Sequence, residues 1–236
     1  MERGYKHVVW LFVAVTLLVF AGFFKTYFVR LNSPGQFSAV HHIHGVIMII
    51  WLALLIVQPI LISKGKLKLH RRLGAASYFI MPALIFLMLL AYKGQYLRGE
   101  ANGDPHSQNL ALLLIPVTDT LPFGLLYILA MFYRKRREYH MRYIIANALV
   151  LIGPPLGRLM MVNGFTDFVV TILITYIVTD VLLVGLALYD RSQRKSFPLN
   201  PYWVSAILLL VCQTTLLYLP MTDLWQHTAQ AIVDNF

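Results

Sequence analysis

Residues 38–74 read S-A-V-H-H-I-H-G-V-I-M-I-I-W-L-A-L-L-I-V-Q-P-I-L-I-S-K-G-K-L-K-L-H-R-R-L-G. His41, His42 and His44 open an apolar run that lasts to Ile62, and Lys64, Lys66 and Lys68 close it. His70, Arg71 and Arg72 then open the next apolar run. About 20 apolar residues, at roughly 1.5 Å each, cross the ~30 Å hydrocarbon core of a bilayer. Lysine and arginine collect in cytoplasmic loops. The stretch therefore predicts one span, a cytoplasmic turn and the start of a second span, with histidines at both membrane faces.

The same pattern repeats outward in both directions. Of 236 residues, 58% are hydrophobic and 13% charged, about half the charge of an average soluble domain, roughly 25%. Apolar blocks predict seven spans, at about 8–29, 38–62, 71–92, 109–133, 142–162, 167–189 and 202–220. The expected fold class is an all-α seven-helix membrane bundle forming one transmembrane domain over 1–236. The first run follows Arg3 and Lys6 as a signal peptide would. It lacks a small-x-small cleavage site before Lys25 and is expected to remain as a helix.

Charge sets the threading. Lys64, Lys66, Lys68, Arg71 and Arg72 fall in one turn, and Arg134, Lys135, Arg136, Arg137 and Arg142 in another. Arg191, Arg194 and Lys195 make a third turn, and with Arg3 and Lys6 these are 15 of the 20 Lys and Arg residues. Lys25, Arg30, Lys93 and Arg98 lie on the other side, and Arg158 within a span. The N-terminus is thus expected in the cytoplasm and the C-terminus outside, in a multi-pass protein of the bacterial inner membrane.

The net charge of +10 points to anionic lipid headgroups at the basic turns and away from nucleic acid. Cys212 is the single cysteine. It excludes an intrachain disulfide or a thiolate cluster and reads as a small core residue. Residues 93–108, rich in Gly, Asn, Asp and Pro, predict a turn-rich outer surface loop. The polar tail 221–236 is expected to leave the bilayer, with Trp225 at the interface.

Several ionisable residues are candidates for chemistry. His41 and His44 are three apart and share a helix face, so they are suited to chelating one metal ion. His106, Asp104 and Asp119 are candidate further ligands, and a wet polar girdle at the helix start is the plainer reading. Asp119, between Pro116 and Pro122, falls about ten residues into its span, near the midplane, where an acid usually faces a cavity or a partner. Arg158 follows G-P-P-L-G, which interrupts a helix; it sits about 8 Å below the outer face, placed to pair with Asp119 or to hold an anion. Asp180 is a second buried acid. Asn147, Gln58 and Gln213 are expected to bond between helices. His70 and His140 open spans at one depth, either as haem ligands or in lipid-phosphate contact beside their arginines. They also share a His-x-Arg pattern 70 positions apart, a weak sign that hairpins 38–92 and 109–162 are repeats.

Gln58 near one span's end, His70-Arg71-x-x-Gly74, His140-x-Arg142 and Arg158 form a pattern over about residues 40–160. It resembles a large family of bacterial polytopic membrane proteins known mainly as a domain of unknown function. The chain departs in having His-Met-Arg at 140–142 and in adding His41 and His42. The resemblance implies fold and location and no established chemistry. Cytochrome b561 proteins are similar in topology only. The functional expectation is an outward-facing cavity walled by His41, His44, Asp119 and Arg158. It would hold a metal ion or haem for redox or metal-assisted chemistry, with Asp119 and Arg158 in catalytic roles. An accessory subunit with partners in a larger membrane complex, or a small proton-coupled transporter, are the alternatives. No nucleotide-binding or hydrolase motif is present, and the last span has no lysine for a Schiff base.

Overall fold

The computed structural model describes residues 7–32, 37–193 and 197–235. Arg3, Lys6, Arg194 and Lys195 lie outside the described residues. The chain is 83% helix with no strands among the described residues. Among the described residues ten α-helices follow one another: α1 Val8–Phe24, α2 Ala39–Ser63, α3 Leu67–Asn102, α4 His106–Leu112, α5 Leu114–Phe132, α6 Arg137–Val150, α7 Gly153–Val162, α8 Phe168–Ser192, α9 Pro201–Tyr218 and α10 Asp223–Val233, with a 3₁₀ turn at Phe28–Arg30 after α1. Six segments are long and apolar enough to cross a membrane: α2, α3, α4 with α5, α6 with α7, α8, and α9. The helix in the first expected span is shorter, at 17 residues. Large side chains such as Phe79, Phe132 and Ile177 are exposed, as a lipid-facing surface requires.

Two expectations are corrected. Residues 93–102 are helix and not a surface loop: α3 runs 36 residues, and only 103–105 separate it from α4. Tyr96 and Gly99 explain the continuation, because they are buried under α4. Gly103, at φ 78°, supplies the left-handed turn that ends the helix. The tail also folds, as α10, with Trp225 buried and donating from Nε1 to the Leu110 carbonyl at 2.9 Å. Pro116 and Pro122 both lie within α5, which begins after Leu113. The G-P-P break is as expected: the helix stops at 151–152, and the prolines fall in the first turn of α7, where their missing N–H groups cost nothing.

The chain divides into two compact units. The first, 1–84 with 144–182, packs α1 against α2 and α7. A Cβ on Gly22 would stand within 2.6 Å of Pro155 backbone carbons, so this crossing admits only glycine on α1. Between α2 and α3, Gln58 with its amide oxygen accepting from Gly74 N–H (3.0 Å) donates to the His70 carbonyl (3.2 Å) and to His70 Nδ1. Three residues of the family-like pattern thus form one clamp across the basic turn.

The second unit, 85–143 with 183–236, packs α5 along α9 and α10 on α4. Its interior holds an ion pair. Arg142 and Asp190 are 0% and 1% exposed. Arg142 Nε donates to Asp190 Oδ2 at 2.6 Å, Nη2 to Oδ1 at 2.7 Å, and Nη1 to the Glu138 carbonyl at 3.0 Å. Phe197 lies under the guanidinium at 4.6 Å. Asn200 donates to Asp190 Oδ2 at 3.4 Å while its own Oδ1 caps α9 at Tyr202 N–H. Arg142 is therefore an internal anchor and not a solvated cytoplasmic charge.

Removing one member of such a pair strands a buried charge and costs about 3–5 kcal/mol. Asp190→Leu is expected to lower the thermal unfolding midpoint in detergent sharply. Arg142→Met with Asp190→Leu should recover most of the loss, because the two changes remove both charges together. A double variant as unstable as the single one would contradict this account.

Candidate functional site

The histidines at the start of α2 are placed by α1. Beyond Phe24 the chain turns, and Tyr27 folds back over α2. Tyr27 and His42 Nδ1 are 2.8 Å apart at the phenol oxygen, and Gly45 leaves room for the Tyr27 ring, which a Cβ there would meet at 3.4–3.7 Å. Phe37 packs edge-on or tilted against Tyr27, His41 and His42 at 5.0, 5.9 and 6.1 Å between centroids. His41 Nδ1 is 2.8 Å from Ser38 Oγ. His44 differs from its neighbours: its Nδ1 is buried and has no hydrogen-bond partner. An imidazole nitrogen left dry and unbonded costs free energy unless a ligand or water fills the place.

Arg158 belongs to the same unit. Its guanidinium stacks on Phe23 at 4.8 Å, at the end of α1 that carries Tyr27. The crossing at Gly22 and Pro155 brings α7 there, and Thr171 and Thr175 of α8 lie 3.6 and 3.7 Å from a Cβ placed on Gly157. Arg158 and His42 therefore share one support, the segment 22–27. Asp119 belongs to the second unit, half-buried on α5 between buried Thr118 and Thr120.

The expected metal set is not assembled. No group of three His, Cys, Asp or Glu able to hold a metal ion occurs among the described residues. His106 fails for a local reason, since both its ring nitrogens are engaged: Nδ1 with Glu100 Oε1 at 3.0 Å and Nε2 with Gln230 Oε1 at 2.8 Å. The haem candidates are tied through Nδ1, His70 to Gln58 and His140 to the Ala130 carbonyl at 2.7 Å. No family model, curated protein or solved structure matches this chain.

His106 has a different role, which its spacing from the other histidines concealed. At about 54 Å, α3 is longer than the ~30 Å hydrocarbon core, and Glu100 and His106 fall past its apolar run, which ends near Tyr92. Gln230 Nε2 donates to Asp234 Oδ1 at 2.8 Å, which turns the Gln230 oxygen towards His106. Both imidazole nitrogens thus face acceptors, the arrangement of an imidazolium with two N–H donors. Hydrogen bonds to Gln230 and Glu100 raise the His106 pKa, and those from Asn109 and His106 lower that of Glu100. Tyr96 stands edge-on to the ring at 6.4 Å, and the Asp234 charge adds to the upward shift. This clasp fastens α10 to α3 and α4.

A raised imidazole contributes stability that is present at low pH and lost as pH rises through its folded value. A lowered carboxyl contributes stability that is lost as pH falls through its own. The clasp is therefore at full strength between the usual carboxylate and imidazole ranges, and is lost outside them as each group passes through its shifted value. Amide exchange in 223–233 is expected to accelerate as pH rises above the ordinary imidazole value of about 6.5, beyond the ordinary base catalysis of exchange. His106→Gln should abolish that excess, and an unchanged excess in this variant would refute the clasp.

Proposed function

We propose that this is a seven-span protein of the bacterial inner membrane, α1 being its first span, with the N-terminus in the cytoplasm and the C-terminus outside. The basic turns meet anionic lipid headgroups. The working end is where α1 finishes, α2 begins and α7 crosses. There Arg158 and the imidazoles of His41, His42 and His44 receive the anionic head of an amphiphile, a carboxylate or phosphate carried on an apolar chain. Arg158 binds the negative charge, Tyr27 holds the His42 ring, and His44 Nδ1 bonds the head group or exchanges a proton with it. A ligand of this class reaches the site from the lipid, so no large aqueous cavity is needed.

The observation that carries this reading is the common support of Arg158 and His42 on residues 22–27, with His41 and His44 on the same helix start. Two features favour it over a metal centre: the arginine would repel a cation, and no third ligand joins His41 and His44 among the described residues. The open nitrogen of His44 keeps one competing reading, a histidine-ligated haem or metal. An absorption spectrum and elemental analysis of the native protein separate the two. A Soret band or stoichiometric metal that disappears in His44→Ala would replace the anion reading.

Decanoate and decanol differ at the head group and share the chain. Decanoate is expected to raise the unfolding midpoint of protein in neutral-lipid nanodiscs, and decanol is not. Charge-assisted hydrogen bonds contribute about 1.5–3 kcal/mol, so Arg158→Gln should weaken decanoate binding at least tenfold. Equal responses to the two compounds, or full decanoate binding by Arg158→Gln, would remove the proposal. For the threading, single cysteines placed at Ser107 and Lys135 in a Cys212→Ala background should be labelled by an impermeant thiol reagent from opposite sides of the membrane.

A further inference from the structure

A second polar site lies in the other unit, between the last turns of α3 and the start of α4. A half-open cavity of about 190 Å³ is walled there by Tyr92, Tyr96, Arg98, Asp104, Asn109 and Leu112, among others. At roughly 30 Å³ for each water, this is room for about six, the heavy-atom count of a very small metabolite.

Asn109 decides what the cavity wants. It is 4% exposed. Its Nδ2 donates to Glu100 Oε1 at 2.8 Å and to the Asp104 carbonyl at 3.4 Å. Its Oδ1 accepts from no group among the described residues. Gly99 makes the arrangement fit, since a Cβ there would come within 2.8 Å of the Asn109 amide carbon. A glycine is thus kept where the amide must lie, and the amide oxygen stands against it in the cavity wall without a protein donor among the described residues. Glu100 and Asp104 fix the amide's orientation, so the open atom is the oxygen and the missing partner is a donor.

The remaining walls describe the rest of that partner. The Asp104 carboxylate and the rings of Tyr92 and Tyr96 suit an ammonium group, by charge and by cation–π attraction. The exposed Arg98 guanidinium suits a carboxylate. Leu112 leaves an apolar patch large enough for a methyl group. A lone cation would meet the arginine, and a lone anion the aspartate. We propose that this cavity binds a small zwitterion bearing an ammonium and a carboxylate, of the α-amino-acid class, with the ammonium on Asn109 Oδ1 and Asp104 and the carboxylate on Arg98. The site is independent of the α1–α2–α7 end and stands whether or not that end binds an amphiphile.

The test is calorimetric titration of the purified full-length protein in neutral detergent with alanine, ethylamine and propionate. Alanine is expected to bind at least tenfold more tightly than either fragment. Asp104→Asn and Arg98→Gln should each weaken alanine at least tenfold, and Leu112→Trp, which fills the cavity, should abolish binding. Asp104 and Arg98 are exposed, so their variants should keep the wild-type unfolding midpoint even if Leu112→Trp does not. The proposal is overturned if alanine gives no heat, if propionate or ethylamine binds as well as alanine, or if the two surface variants bind alanine like the wild type.

Discussion

A guanidinium and a carboxylate with no access to solvent must satisfy each other completely, and the Arg142–Asp190 pair does so. Two donors of Arg142 reach the two oxygens of Asp190, a third reaches the Glu138 carbonyl, and the aromatic face of Phe197 closes the remaining side. Such a pair contributes little net stability compared with apolar residues of equal volume, because desolvation consumes most of the attraction. Its effect is to make alternatives costly. Any displacement of α6 from the end of α8 would leave two charges buried and unpaired. Through Asn200 the pair also reaches the N-cap of α9, so one ionic contact fixes the meeting of three helices.

The same constraint governs the rest of the chain at lower intensity. A backbone interrupted at membrane depth must find partners within the protein. The break at 151–152 does so by placing two prolines where N–H groups are dispensable. The Gln58 amide satisfies groups of the next helix. Two polar atoms lie beside groups of defined charge, one in each unit: His44 Nδ1, buried without a partner, and Asn109 Oδ1, in a cavity wall. Polar atoms left open beside groups of defined charge are the strongest pointers to ligands that this chain offers, and they differ in chemistry. The first lies with an arginine, the second with an aspartate, an arginine and two tyrosines.

How much of this was legible beforehand follows from the range of each signal. Spans are written in blocks of about 20 apolar residues and in clusters of lysine and arginine, and six of the seven expected spans have helices of crossing length. Gln58, His70 and Gly74 were visible as a pattern, and they do form one contact. The continuation of α3 through 93–102 was not visible. Gly94, Gly99 and Asn102 have turn propensity, and the burial of Tyr96 and Gly99 under α4, which overrides it, is a tertiary fact. The docking of α10 depends on Trp225 reaching a carbonyl 115 positions earlier. Arg142 was concealed by its company, since four of the preceding eight residues are also basic and all five suit a cytoplasmic turn.

One sequence signal did point to the ion pair. Asp190 falls in the last turn of α8, where the helix dipole favours cations and disfavours a carboxylate by a few tenths to about 1 kcal/mol. An acid in that position, next to Arg191 and at the end of an apolar helix, calls for a cation from elsewhere in the fold. The same logic applies to His106. An imidazole that opens a helix is placed against the dipole if protonated, so its retention of two acceptor partners implies that those partners outweigh the dipole. In both places the informative residue is the one whose local setting is wrong for its charge, because only a distant contact can make it right.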